Sequence, residues 1–360
     1  MLKEYESLIT ATVFVDPHFS LHAHSCLGKT SLQMVCDCFS RCSVREGGLD
    51  SIDQLLQNSE GDWRLVVGED FPLLTAEGLD SVMEYALLTG EDCIRFEGGI
   101  LFRPEKLARA ATLKEILFKT FDDLQSVRLT PETLSFVCER FRKQILKGHA
   151  ENGVLIPYPE TVFVDCHTRI GAETYVGPGV ILEESVIGDC CKIGSGSTLK
   201  SAVVGDYAEI TSSLVDHASV GEGSKVGPFA YLRPDSKVGE NCRIGDFVEL
   251  KNAEIGRGCK ISHLAYVGDA VMGQNCNIGC GAVFANYNGK QKSRTVLGDK
   301  VFVGSNCNLV APLSIGDGSF LAAGTTVTED VPPFSLCIGR THQLLKENWT
   351  KRYFGENGDR

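Results

Sequence analysis

The chain has 360 residues, 43% of them hydrophobic and 23% charged, and a net charge of −12. That length holds two domains of ordinary size and that balance is a soluble globular one. The acidic charge excludes non-specific binding to nucleic acid or to an anionic membrane, so an anionic substrate would need a local cationic pocket. The first residues carry no leader pattern, and no apolar run of ~18 residues is present, which predicts neither a signal peptide nor a membrane span. The 15 Cys form no pair of CxxC motifs at zinc-finger spacing. They read as small buried thiols of a reducing, cytoplasmic protein.

Residues 1–152 lack any long repeat and read as a smaller α/β domain. Arg64-Leu65-Val66-Val67 predicts a buried strand. Residues 76–90 and 104–120 have helical spacing. The clearest helix is predicted over 131–148, with Thr130 as its cap, Pro131 at the first helical position, and an apolar stripe of Leu134, Val137, Cys138, Phe141 and Ile145.

From Thr161 a six-residue period takes over. Val220, Val226, Leu232, Val238, Ile244 and Leu250 keep it without error, as do Leu297, Val303, Leu309, Ile315, Leu321 and Val327. Neither a helix nor a simple strand has this period. It suits a coil with three short sides per turn, each placing one apolar residue inward. Gly often follows the apolar residue (Ile170-Gly171, Val176-Gly177, Val226-Gly227, Ile244-Gly245, Ile315-Gly316), where a tight corner needs its tolerant backbone. About 18 residues per turn gives roughly nine coils between 161 and 330 of a parallel β-helix. One-residue slips near Ile255 and Met272 read as minor corner adjustments. The polar run ANYNGKQKSRT, between Phe284 and Val296, reads as a loop leaving the coil. The repeat is expected to end at Val331-Pro332-Pro333, before a tail over 341–360 with a short helix.

The segment from Gly227 to Arg340 carries longer motifs that lie off the repeat: YLRP, FVELKN, HLAYVGDA, NIGCG, NYNGKQK and AAGTTV. It resembles the acetyltransferase domain of the bifunctional glucosamine-1-phosphate acetyltransferase and N-acetylglucosamine-1-phosphate uridyltransferase family. The resemblance is dense over about 110 residues and looser back to Gly153. It implies a left-handed β-helix over 153–340, a homotrimer with active sites shared between subunits, and acetyl transfer from acetyl-CoA to the amine of glucosamine-1-phosphate. It implies that His263 is the general base, because the amine must be neutral to attack a thioester. Taken alone, a lone His in a coil would be structural. Arg233, Lys251 and Lys292 match positions that hold the sugar phosphate, a task suited to a guanidinium fork and point charges. Tyr266 and Asn277 match sugar-contacting positions that also help orient the base. Cys280, Asn286, Tyr287, Ser305, Ala323 and Arg340 match acetyl-CoA positions, Cys280 standing where the family pattern usually has Ala. No metal site is implied in this half.

Residues 1–152 depart from that family. The Gly-rich phosphate loop is missing, and Leu27-Gly28-Lys29-Thr30 is not a substitute. VVGEDFPLLTAEGL, with Asp70, resembles a remnant of the uridyltransferase metal site, but no partner Asn stands near Val127-Arg128-Leu129. One carboxylate makes a poor Mg²⁺ site. Magnesium would matter only if uridyltransferase activity survived, and the segment reads as a degenerate domain. A bifunctional enzyme, an acetyltransferase for another, nucleotide-linked amino sugar, and a non-catalytic trimeric scaffold stand as alternatives.

Overall fold

The computed structural model describes residues 134–354 and, before them, Ile9–Val15, Ser25–Cys26, Lys29–Thr30, Cys42–Glu46, Trp63–Gly68, Cys93–Phe96, Gly99–Phe102 and Lys119–Phe121. Two compact units are present. One comprises Met1–Ile170 with Pro178–Ser185, the other Gly171–Gly177 with Val186–Arg360.

In the first unit six strands form a mixed sheet. Ile9–Val15 lies between Cys42–Glu46 and Trp63–Gly68 and is parallel to both. Gly99–Phe102 runs antiparallel to Trp63–Gly68 and to Cys93–Phe96. The strand expected at 64–67 is there, with Trp63, Leu65 and Val67 buried on alternate positions. Lys119–Phe121 is a strand parallel to Cys93–Phe96 and corrects the helix expected to reach 120. The expected helix 76–90, the rest of 104–120, Thr130, Pro131 and Asp70 lie outside the described residues.

The long helix spans Leu134–Glu151, so it runs a turn past the expected end at 148. Among its described side chains Leu146 and Arg142 are buried, neither of them part of the expected stripe, whose described members are only half-buried. Arg142 pairs with Glu139 at 2.7 Å and donates to the carbonyls of Pro159 and Val162. A guanidinium can be buried there because its fork is filled by an anion and two carbonyls. Just beyond, Phe163–Val164 and Ile181–Glu183 pair in parallel.

The second unit is a parallel β-helix. One of its faces is a ten-stranded sheet from Tyr175–Val176 to Leu336–Cys337, each strand paired in parallel with the next. Ten strands stand where roughly nine coils were expected because this face continues to Leu336–Cys337, past the expected end near 330. The coil also runs past Pro332-Pro333, since Phe320 and Leu321 still pair with Leu336 and Cys337. All twelve repeat positions named above are buried. Each such Val, Ile or Leu contributes about 1.5–3 kcal/mol on leaving water, and each coil rests only on its neighbours.

The glycines after the buried residues have a different reason from the one expected. Among the five, only Gly227 has a positive φ, at 104°. At Gly171 and Gly245 an added Cβ would lie 2.3 Å from the Asp189 carboxylate and 1.9 Å from the Ser262 carbonyl oxygen. Glycine is needed for close approach of the next coil. The left-handed corner positions lie further on and often hold Asn, Asp, Phe or Tyr.

Buried thiols follow the same rule of internal satisfaction. Cys242, Cys259 and Cys276 donate to the carbonyls of Gly256, Gly273 and Gly298, each at 3.1 Å. Burial pushes the Cys242 thiol up, keeping it protonated.

Candidate active site

The coils between Arg243 and Leu297 break the regular plan. Elsewhere on the ten-stranded face each strand is two residues long, but Arg243–Asp246 and Lys260–His263 are four, and their pairing reaches Asp246 and His263 at the corner. Past that corner Glu249–Ile255 and Tyr266–Met272 are continuous seven-residue strands whose pairing, from Glu249↔Tyr266 to Ile255↔Met272, is carried through the next corner at Asn252 and Asp269. The slips at Ile255 and Met272 are corner adjustments: Asn252 and Asp269 keep the left-handed φ of a corner, at 46° and 48°, and the two ends of Glu249–Ile255 pair with the separate strands Tyr231–Leu232 and Lys237–Val238. After Val283–Ala285 the chain leaves the coil and returns at Thr295–Leu297.

His263 Nδ1 is hydrogen-bonded to Asp246 Oδ1, and Nε2 takes no partner among the described residues. The His263 hydrogen bond, against partial burial, holds the Asp246 carboxyl below its usual range. An ionised carboxylate only accepts, so Nδ1 carries the proton and Nε2 is a bare acceptor. Along the seven-residue strands, Arg233 pairs with Glu249 at 2.9 Å and lies over the Tyr231 ring at 5.9 Å. One guanidinium N–H suffices for that bond, leaving donors for a second anion. Lys251 pairs with Asp269 at 3.3 Å. Asp269 also accepts from Asn252 at 2.7 Å and from Asn286. Burial alone would raise the Asp269 carboxyl, but the Asn252 and Asn286 amides and the Lys251 ammonium hold it below the usual range. The Asn286 amide also points to the Tyr266 hydroxyl, at 3.5 Å. The Tyr266 ring folds over Gly268, where a Cβ would lie 2.4 Å from its hydroxyl.

Residues that follow in the coil stack along one corner. The Lys260↔Asn277 and Ile261↔Ile278 register places Cys280 one coil beyond His263. Gly281, Asn306 and Gly324 then donate to Leu264, Cys280 and Ser305, which puts Ser305 and Ala323 in the same column. The side chains of that column are small and exposed, and the amides of Cys280, Ser305 and Ala323 make no hydrogen bond among the described residues. Arg340 closes the column by donating to the Ala323 carbonyl at 2.6 Å. Asn277 is half-buried on the preceding strand. Tyr287 and Lys292 bridge each other across the inserted loop, and the Tyr287 hydroxyl donates to Gly289 at 2.7 Å. Lys292 is exposed there.

So the structure brings the expected residues into three groups, His263 with Asp246, Arg233 and Lys251 with Tyr266 and Asn286, and the corner column, while Tyr287 and Lys292 pair on the inserted loop. Sequence reasoning missed Asp246, Glu249 and Asp269. The available signal was register. Asp246 precedes His263 by one 17-residue coil, as does Asn252 before Asp269. Among the described residues no group of His, Cys, Asp and Glu is placed to hold a metal ion, and no helix is long and apolar enough to cross a membrane.

Residues 214–315 match the family model of the GMPPB C-terminal domain, and residues 167–201 match that of the bacterial transferase hexapeptide (six repeats). The chain is 48% identical over 233 residues to the bifunctional protein GlmU of Alkaliphilus oremlandii, covering 64% of this chain and 51% of that protein. It is 49% identical over 209 residues to GlmU of Acetivibrio thermocellus, covering 58% and 45%. With GlmU of Clostridioides difficile the figures are 44% over 250 residues, covering 69% and 54%. This chain thus spans about half the length of the curated relatives it matches. Among solved structures, LpxA from Acinetobacter baumannii aligns at 19% identity and a TM-score of 0.28 over 52% of this chain and 71% of that one.

Proposed function

We propose that this chain, a homologue of the GlmU proteins over about two thirds of its length, transfers acetyl from acetyl-CoA to the amine of glucosamine-1-phosphate. The observation that carries the reading is the bare Nε2 of His263, at the head of a corner column of amides that make no hydrogen bond among the described residues. In the proposed step Nε2 takes a proton from the sugar ammonium, and the neutral nitrogen attacks the thioester carbonyl. The oxyanion accepts from the Cys280 amide, which makes no hydrogen bond among the described residues and so gives none up. Collapse breaks the C–S bond, the His263 imidazolium returns its proton to the leaving thiolate, and the new amide nitrogen gives up its remaining extra proton to solvent. Arg233, Lys251 and Lys292 hold the sugar phosphate, and Tyr266 and Asn277 hold the ring. Asn286, Tyr287, Ser305, Ala323 and Arg340 hold the coenzyme. Magnesium has no part in this transfer.

The assembly proposed is a homotrimer, in a cytoplasmic protein. Phe229, Phe247 and Leu264 stack along the corner beside His263, each more than half exposed, with the two rings 5.5 Å apart. Their φ angles are 58°, 55° and 43°, a region bulky side chains avoid. Such a strained apolar ladder is explained by a neighbouring subunit that covers it. Residues 1–152 are proposed as a separate, catalytically silent domain, ahead of the acetyltransferase domain at 153–340.

The test is free-thiol release from acetyl-CoA by the purified full chain. Release that depends on glucosamine-1-phosphate supports the assignment. Its absence with this sugar, and its presence with a nucleotide-linked amino sugar, would replace the acceptor.

A further inference from the structure

We propose that Asp246 is a positioning residue for His263, fixing the ring and its tautomer so that Nε2 faces the acceptor amine. This rests on the reading of His263 as the base. Three independent features of the backbone converge on the contact. The pairing of the two strands is extended only here on this face, and it ends on the pair Asp246↔His263. The residue before Asp246 is Gly245, and its missing Cβ lets the two backbones close to where a side chain would overlap the Ser262 carbonyl. The residue after His263 donates its N–H to the Asp246 carbonyl at 2.9 Å, so the corner is pinned on both sides of the side-chain bond.

The electrostatics agree with the geometry. Asp246 is about one-third exposed and its carboxyl is held in the ionised form. It can therefore only accept from Nδ1. If the contact were absent, the ring of a more than half exposed histidine would rotate freely and sample both tautomers. Molecules in the Nε2–H tautomer would present an N–H, which cannot take a proton, to the amine. Regular coils show the contrast: His217 also bonds a carboxylate, but that of Asp216, its own neighbour in sequence. His263, unlike His217, is held from a different coil, through an extended ladder.

The experiment uses the full chain and its Asp246→Ala and Asp246→Asn variants. Acetyl transfer is followed at steady state, and ¹⁵N-histidine NMR without substrate reports the tautomer, His263 being assigned by comparison with His263→Gln. In the wild type the expected spectrum is Nδ1–H with bare Nε2. Asp246→Ala is expected to mix the tautomers and to lower kcat about 10–100-fold with KM unchanged for both substrates, the size seen when a group that orients a functional histidine is lost. Asp246→Asn keeps the Oδ1 acceptor and should restore most of both signals. A wild-type spectrum dominated by Nε2–H would overturn the proposal. So would an Asp246→Ala variant with wild-type tautomer and kcat, or an Asn variant as impaired as the Ala one. If the wild type turns over no acetyl-CoA, the substrate reading fails, and the spectra still decide whether Asp246 holds Nδ1.

Discussion

The regular coils and the coils from Arg243 to Leu297 are built from the same six-residue unit, yet they differ in what the unit leaves on the outside. Regular coils have short strands, three corners and solvated outer positions such as Lys225 paired with Glu209. The irregular ones carry the pairing through a corner, extend two strand pairs and eject a loop, and these changes gather Asp246, His263, Lys251, Asp269 and Asn286. The lesson is that periodic burial makes a frame and the errors in the period make the site. A perfect solenoid repeats every outward position, so no one coil can be chemically distinct.

The largest effect expected is on chemistry alone. His263→Ala should lower acetyl transfer about 10²–10⁴-fold, the usual contribution of a general base, with thermal melting unchanged because the side chain is exposed. Parallel melting and thiol-release assays check it. The next test sets the two kinds of coil side by side. Phe284→Ala, at a fully buried side chain just before the ejected loop, should cost about 3–5 kcal/mol and also reduce activity. Leu199→Ala, equally buried in a regular coil, should cost about 2–5 kcal/mol and leave kcat alone. Equal loss of activity in both, measured at a temperature where both are folded, would erase the distinction drawn here. Arg233→Ala and Lys251→Ala should each raise KM for the sugar phosphate about tenfold, as expected on losing a charge-assisted bond worth about 1.5–3 kcal/mol, with a smaller change in kcat. Added salt should mimic them weakly in the wild type.

The smallest effect is a pH dependence at Asp269. Its carboxyl is held below the usual range in the fold, and the unfolded value is about 3.9. The stability it contributes is then fully present above about pH 4 and is lost as pH falls through the lower folded value. The denaturant midpoints of wild type and Asp269→Asn should differ at pH 7 and converge toward pH 3. Constant separation over that range would show that Asp269 is not the charged anchor of Lys251 and the two amides.

Most of the frame was legible because one apolar residue in six is a strong signal, and each such residue proved buried. The site residues that resemble known motifs were legible by that resemblance. Asp246 and Asp269 were not, because their meaning lies in register between coils: Asp246 reads as a corner residue until the 17-residue offset sets it against His263. At Arg142 the expectation failed because helical periodicity counts apolar residues, while this buried position is filled by a cation that two carbonyls and Glu139 satisfy.

The corner column has one more consequence. Coils in a parallel sheet rise about 4.8 Å each, so Cys280, Ser305 and Ala323 mark points about 5, 10 and 14 Å from His263 along the axis. The column is a ruler graduated in coils, with the imidazole at zero. A whole coil gained or lost beyond His263 would move every later mark by one division without disturbing the base, its carboxylate or the cations. Reach toward a long thioester arm and chemistry at its tip can therefore be adjusted separately in a molecule built this way.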